Sequence, residues 1–188
     1  MSFGAWIELI TSGLITGGIY ALVALGLNLQ YGLMRIMNIS HGEFLMLGAY
    51  LTWLAHTVLG LDPVLFLPVV AAILFLVGLA VYRLCFQRIS RTSPTVEVIE
   101  ARSLLIGFGL MYLVQNAAYL VWGADMRGYS FLSEPVEIAG ARFTGNSLLA
   151  FGFAVAASLG MLAVLRWTML GKAVRAMMQS PTGAQLVG

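Results

Sequence analysis

Apolar residues run along this 188-residue chain in long charge-free windows, parted by short polar or charged stretches. A helix needs roughly 20 residues to cross about 30 Å of hydrocarbon. Five windows approach that length: Leu9–Met34, Phe44–Leu61, Val64–Tyr82, Ser103–Ala124 and Phe143–Leu165. Each is predicted to be helical, because a lone segment in lipid can satisfy its backbone hydrogen bonds only within itself. Pro63 and Pro68 mark the start of the third window, and Asp62-Pro63 reads as a tight external turn. The second window is short. Its approach, Asn38–Gly42, either lies outside the bilayer or dips into it, and Gly42 and Gly48 would allow close backbone approach there.

The stretch between the first two windows is the least ordinary. Asn38, Ser40, His41 and Glu43 fall within six residues, bordered by apolar runs on both sides. A charge at the centre of a spanning helix costs about 2.5–3.5 kcal/mol, so such groups persist where they cap a helix, line a wet cavity or sit near headgroups. Ser40 and Glu43 have capping-box spacing, in which each side chain satisfies a backbone N–H at a helix start. The positive end of the helix dipole would favour Glu43 further. That accounts for Ser40 and Glu43 but leaves Asn38 and His41 unexplained.

Composition fixes the class. The chain is 60% hydrophobic and 10% charged, with a mean hydropathy of +0.92, whereas soluble domains carry about 25% charged residues. It is predicted to be an all-α, polytopic transmembrane helical bundle. No basic residue precedes Arg35, so no positively charged n-region announces a cleavable signal peptide. Cys85 is the lone cysteine, and His41 and His56 lack ligand partners at sensible spacing, so neither a disulfide nor a metal is expected. With the N-terminus outside, Arg35, Arg83, Arg88, Arg91, Arg102, Arg166, Lys172 and Arg175 collect inside, against Arg127 and Arg142 outside. Glu8, Asp62, Asp125, Glu134 and Glu137 fall on the outer side. This positive-inside bias predicts an outer N-terminus and a cytoplasmic C-terminus.

Small residues recur four apart at Gly13, Gly17 and Ala21, and again at Gly152, Ala156 and Gly160. Such stripes let helices approach closely, either within one chain or between subunits. Asn28, Gln30, Gln115 and Asn116 are read first as interhelical hydrogen-bonding groups. The outer stretch Asp125–Arg142 has room for a short hairpin or surface helix. The tail has a helical pattern from Gly171 to Met178, breaks at Ser180-Pro181 and resumes to Gly188, with Lys172 and Arg175 on one face. It reads as a membrane-surface helix or as a peg for a cytoplasmic partner.

Three blocks together resemble the permease subunits of branched-chain amino acid ABC importers, the Liv type. They are Gly17–Gly26 leading through Tyr31-Gly32 to Asn38-Ile-Ser-His41-Gly42-Glu43 and Gly48-Ala49-Tyr50; Ser103–Leu110 through Gln115-Asn116; and Gly171–Ala176 followed by Ala184 and Leu186–Gly188. The resemblance implies one transmembrane permease domain over residues 1–188, the N-terminal part of a longer family domain, with 168–188 as a cytoplasmic coupling segment. It implies a second permease subunit, two cytoplasmic ATPase subunits and a periplasmic or extracellular binding protein as partners. ATP hydrolysis would belong to a partner, and no cofactor or nucleic acid is expected. Asn38, His41, Gly42, Glu43, Gln115 and Asn116 would border the translocation path. Gly171, Lys172, Arg175, Ala176, Ala184 and Gly188 would couple to the ATPase. Thr182-Gly183 stands where family members often carry an acid. The family continues for several further helices, so an end at Gly188 inside the coupling motif predicts a truncated product or a fragment. Urea or short amides are alternative cargoes; an ion-coupled carrier, a channel and a non-transporting membrane subunit are alternative roles.

Overall fold

The computed structural model describes residues 3–138 and 141–179. Its helices are α1 (Phe3–Met34), α2 (His41–Thr57), α3 (Pro63–Val81), α4 (Gln87–Thr92), α5 (Val96–Trp122), α6 (Gly145–Trp167) and α7 (Met169–Gln179). Two short strands, β1 (Pro135–Ile138) and β2 (Ala141–Thr144), precede α6. Among the described residues, four helical stretches are long and apolar enough to cross a membrane: α1, α3 continued through α4, α5 and α6. The protein is a multi-pass membrane protein built of helices. α2, at 17 residues, is the short one among the five expected spans.

Helix ends differ from the charge-free windows for simple reasons. α5 begins at Val96, not Ser103, so Glu97, Glu100 and Arg102 ride on its first turns. Charged residues stop a hydropathy window but not a helix that projects beyond hydrocarbon. α3 passes without a break through a π-helical turn, Tyr82–Phe86, into α4. At its start Asp62 Oδ1 accepts the N–H groups of Val64 at 2.8 Å and Leu65 at 3.4 Å, with Pro63 in the first turn. That agrees with the turn read from Asp62-Pro63.

The chain divides into two compact units. One joins Met1–Leu33 to Ser130–Gly188; the other is Met34–Tyr129. In the first unit, β1 and β2 form an antiparallel hairpin with Glu137 opposite Arg142. Phe143, expected to open the fifth span, lies instead on β2 and packs with Ile15 of α1, flanked by Ile7, Ile19, Leu148 and Phe151. In the second unit α2 packs on α3, where a Cβ at Gly48 would lie 3.2 Å from Leu74. What approaches Gly48 is the Leu74 side chain, not the backbone expected there. At Gly42 nothing lies within 4 Å of a Cβ built there.

The small-residue stripes do not pack within the described chain. Gly13, Gly17, Ala21, Gly152, Ala156 and Gly160 are exposed, and a Cβ on any of the four glycines would meet nothing within 4 Å. The tight contact is one residue along, at Gly18, where a Cβ would come 2.6 Å from the Phe151 ring.

Candidate functional site

α1 ends where Arg35 adopts φ +53, a left-handed conformation that costs a non-glycine residue about 1–2 kcal/mol. Residues 35–40 then run without regular structure to the start of α2. Alternate side chains turn inward, while Arg35, Met37 and Ile39 stay exposed. Ile36 is 2% exposed, Asn38 9% and Ser40 0%.

The segment lies in a slot on α5. Met37 N–H donates to Ser103 Oγ at 3.0 Å, and that hydroxyl donates to the Glu100 carbonyl at 2.9 Å. One turn on, a Cβ at Gly107 would stand 3.0 Å from the Ile39 nitrogen and 3.3 Å from the Met37 oxygen. Only glycine admits backbone this close. Ser103 and Gly107, four apart, share one helix face. Neither stands out in the sequence as a functional position; the readable signal is a small polar residue followed by glycine one turn later within an apolar run.

Depth along α5 gives this crossing its meaning. α5 has 27 residues and is about 40 Å long. Ser103 and Gly107 lie about 10 and 16 Å from its first residue. Further on, Gln115 Nε2 donates to Glu43 Oε1 at 2.8 Å. Seven residues beyond on both helices, Tyr50 stacks on Trp122 with centroids 4.5 Å apart and planes 12° from parallel. α2 and α5 therefore run in the same direction, and α2 starts roughly two-thirds of the way along α5. The break occupies the level of the apolar helix itself. Irregular backbone is tolerated at such depth where protein buries it or where it borders a watery cavity.

The capping box does not form. Ser40 is the N-cap of α2 but makes no side-chain cap bond; its hydroxyl donates to Asn38 Oδ1 at 2.6 Å. Glu43 donates its backbone N–H to the Ser40 carbonyl at 3.0 Å, while its carboxylate turns to Gln115. Ser and Asn side chains compete for such local bonds, and here the neighbouring Asn38 wins the Ser40 hydroxyl.

Of the path residues expected from sequence, the fold pairs Glu43 with Gln115 and buries Asn38 beneath Ser40. His41 is half-buried and Gly42 exposed at the first turn of α2. Asn116 folds back on its own helix, its Nδ2 donating to the Tyr112 carbonyl at 2.7 Å. At the far end of the α2–α5 pair, Arg127 lies 4.9 Å over the Trp53 ring and donates to the Trp122 carbonyl at 2.8 and 3.1 Å. Beside it Tyr129 leans on His56, centroids 4.8 Å apart, and partial burial pushes the Tyr129 phenol up. Tyr50, Trp53, Arg127 and Tyr129 line a cavity of about 380 Å³.

In the other unit, α7 folds back tightly on the end of α6. Thr168 Oγ1 donates to the Val164 carbonyl at 2.6 Å and accepts the Gly171 N–H at 3.0 Å. A Cβ at Gly171 would overlap the carbonyl oxygens of Val164 and Leu165. Arg175 reaches the Arg166 carbonyl at 3.5 Å, while Lys172, Arg175 and Ala176 are exposed. A Cβ at Gly32, near the end of α1, would overlap the Met178 methyl. Ala184 and Gly188 lie outside the described residues. Among the described residues no cluster of three or more His, Cys, Asp or Glu side chains forms a metal site.

A family model described as "Branched-chain amino acid transport system / permease component" matches residues 9–188. The chain is 24% identical over 197 residues to the high-affinity branched-chain amino acid transport system permease protein BraD of Pseudomonas aeruginosa, covering 97% of this chain and 62% of BraD. It is 25% identical over 183 residues to the probable branched-chain amino acid transport permease protein LivH of Methanocaldococcus jannaschii, covering 96% and 57%. With LivH of Escherichia coli K12 the identity is 24% over 186 residues, covering 94% and 60%. No solved structure matches. The chain thus spans about three-fifths of the length of these curated relatives. A match over 9–188, together with a buried break before α2 in a helical membrane fold, leads to one assignment: this chain belongs to the family of branched-chain amino acid transport permease components.

Proposed function

We propose that this chain is a membrane subunit of an ATP-driven importer carrying branched-chain or related small amino acids into the cytoplasm across the cell's inner membrane. The observation that carries the reading is the start of α2 part-way along α5, beside the 35–40 break that buries Ile36, Asn38 and Ser40. A helix that begins inside the bilayer aims the positive end of its dipole at the path, where it can meet a carboxylate. His41, Gly42 and the Glu43–Gln115 pair would border that path, with Asn38 and Ser40 holding the break in shape. Asn116 would stand beside it.

The cation asymmetry supports an outer N-terminus and a cytoplasmic tail. The parallel run of α2 and α5 fits that arrangement, since the chain must return once between them. α7 would then face a cytoplasmic ATPase subunit, presenting Lys172, Arg175 and Ala176. A second permease subunit, two ATPase subunits and an external binding protein complete the proposed assembly. Hydrolysis belongs to the ATPase, and this chain contributes shape and path rather than catalysis.

The test is uptake of labelled leucine by cells expressing this chain with its genomic neighbours. Vanadate should abolish uptake and a protonophore should not. Collapse of uptake by the protonophore, with vanadate inert, would assign the chain to an ion-coupled carrier instead.

A further inference from the structure

Beside the π-helical turn, α3–α4 and α5 leave an apolar groove of about 660 Å³. Its walls include Leu84, Cys85 and Ile89 on one side and Leu105, Leu110 and Leu113 on the other. Leu84, Leu105 and Leu113 are 81%, 74% and 65% exposed. The π-turn supplies two of the lining residues, Leu84 and Cys85. Single π-turns of this kind are frequent at functional sites. The groove is lined along α5 from Leu105 to Leu113, about 12 Å.

Charge identifies the occupant. Arg88 and Thr92 are the polar groups of the lining. Arg83 precedes Leu84, Arg91 lies on α4, and Arg102 lies one turn before Leu105 with Nη1 3.3 Å from Ser93 Oγ. Glu97 and Glu100 stand at the same end, so the arginines outnumber the acids there. An apolar channel between membrane helices that ends in cations is complementary to an acyl chain beneath an anionic phosphate. Basic pockets between spanning helices take such headgroups, and the Arg88 stem can run along the apolar wall with its guanidinium at the interface. Arginine also offers a phosphate two parallel hydrogen bonds.

We propose that this groove is a binding site for one anionic phospholipid, with an acyl chain along Leu84–Leu113 and its phosphate at Arg88, supported by Arg102 and Arg91. The inference needs that these helices lie in a bilayer with the groove open to lipid, and it is independent of the transport reading.

The test uses the full chain, purified in detergent and analysed by native mass spectrometry after exchange into phosphatidylglycerol or phosphatidylcholine. Phosphatidylglycerol should be retained about fivefold better, the effect of one basic side chain near an anionic headgroup. Arg88→Gln should remove that preference and Arg88→Lys should keep most of it. Gly109→Leu fills the groove from a position with nothing within 4 Å of its Cβ, and should lower retention of both lipids. Cys85, the one cysteine, gives a second readout: maleimide labelling should be slower in vesicles containing phosphatidylglycerol than in phosphatidylcholine alone. Equal retention of the two lipids, or unchanged preference in Arg88→Gln, overturns the proposal. Ready formation of a Cys85 disulfide between two copies also overturns it, because a second chain would then cover the groove.

Discussion

The chain interrupts its membrane helices at two places that are built in opposite ways. Before α2, six residues leave helical geometry and are held by a hydroxyl 66 residues away, at Ser103. Before α7 a single residue, Thr168, makes the corner, and both its side-chain bonds are to residues within four positions. The first break turns Ile36, Asn38 and Ser40 inward. The second leaves Met169 and Leu170 80% and 76% exposed, with Lys172 and Arg175 outward. A break secured from a distant helix is fixed in place, which suits the path role proposed for it. A corner secured by its own neighbours depends on no distant helix, which suits the ATPase-facing role proposed for α7.

This contrast predicts which changes disturb which break. The largest effect is expected at Gly171→Val, where the side chain would strike backbone carbonyls that cannot step aside. It should cost about 3 kcal/mol and expose the α6–α7 corner to limited proteolysis, leaving the protection of residues 35–40 unchanged. Next comes Ser103→Ala, which strands the Met37 N–H and should lower stability by about 1–2 kcal/mol. Thermal unfolding in detergent reads that loss, and faster proteolysis near Arg35 should accompany it with the α7 corner intact. Glu137→Ala removes the exposed 2.8 Å pair with Arg142 and should change stability by no more than about 0.5 kcal/mol, because surface ion pairs are screened and flexible.

The helices were legible because their signal is local. Charge-free windows located α1, α3, α5 and α6 to within a few residues in their apolar parts, and Pro63 marked a helix start by its own geometry. Arg35–Glu43 was recognisable as abnormal because polar groups crowd together between apolar runs. Its construction was not legible. The bonds that settle it join Met37 to Ser103 and Glu43 to Gln115, across stretches with no sequence periodicity in common. Capping-box spacing at Ser40 and Glu43 was a real pattern, but a local rule cannot anticipate Asn38 and Gln115 as better partners. The stripe at Gly13 and Gly17 meets no partner among the described residues for a related reason: four-residue spacing shows that a helix can be approached, not whether the same chain or another subunit approaches it.

Solvent accessibility of the break tests the central claim most directly. In a Cys85→Ser background, single cysteines at Ile36 and Gly42 would be challenged in sealed vesicles with a small, charged, membrane-impermeant thiol reagent. A cysteine at Gly42 should react, since Gly42 is exposed at the first turn of α2 beside the proposed path, and one at Ile36 should stay protected. Labelling of both at similar rates, or of position 36 alone, would contradict a buried break beside a wet path.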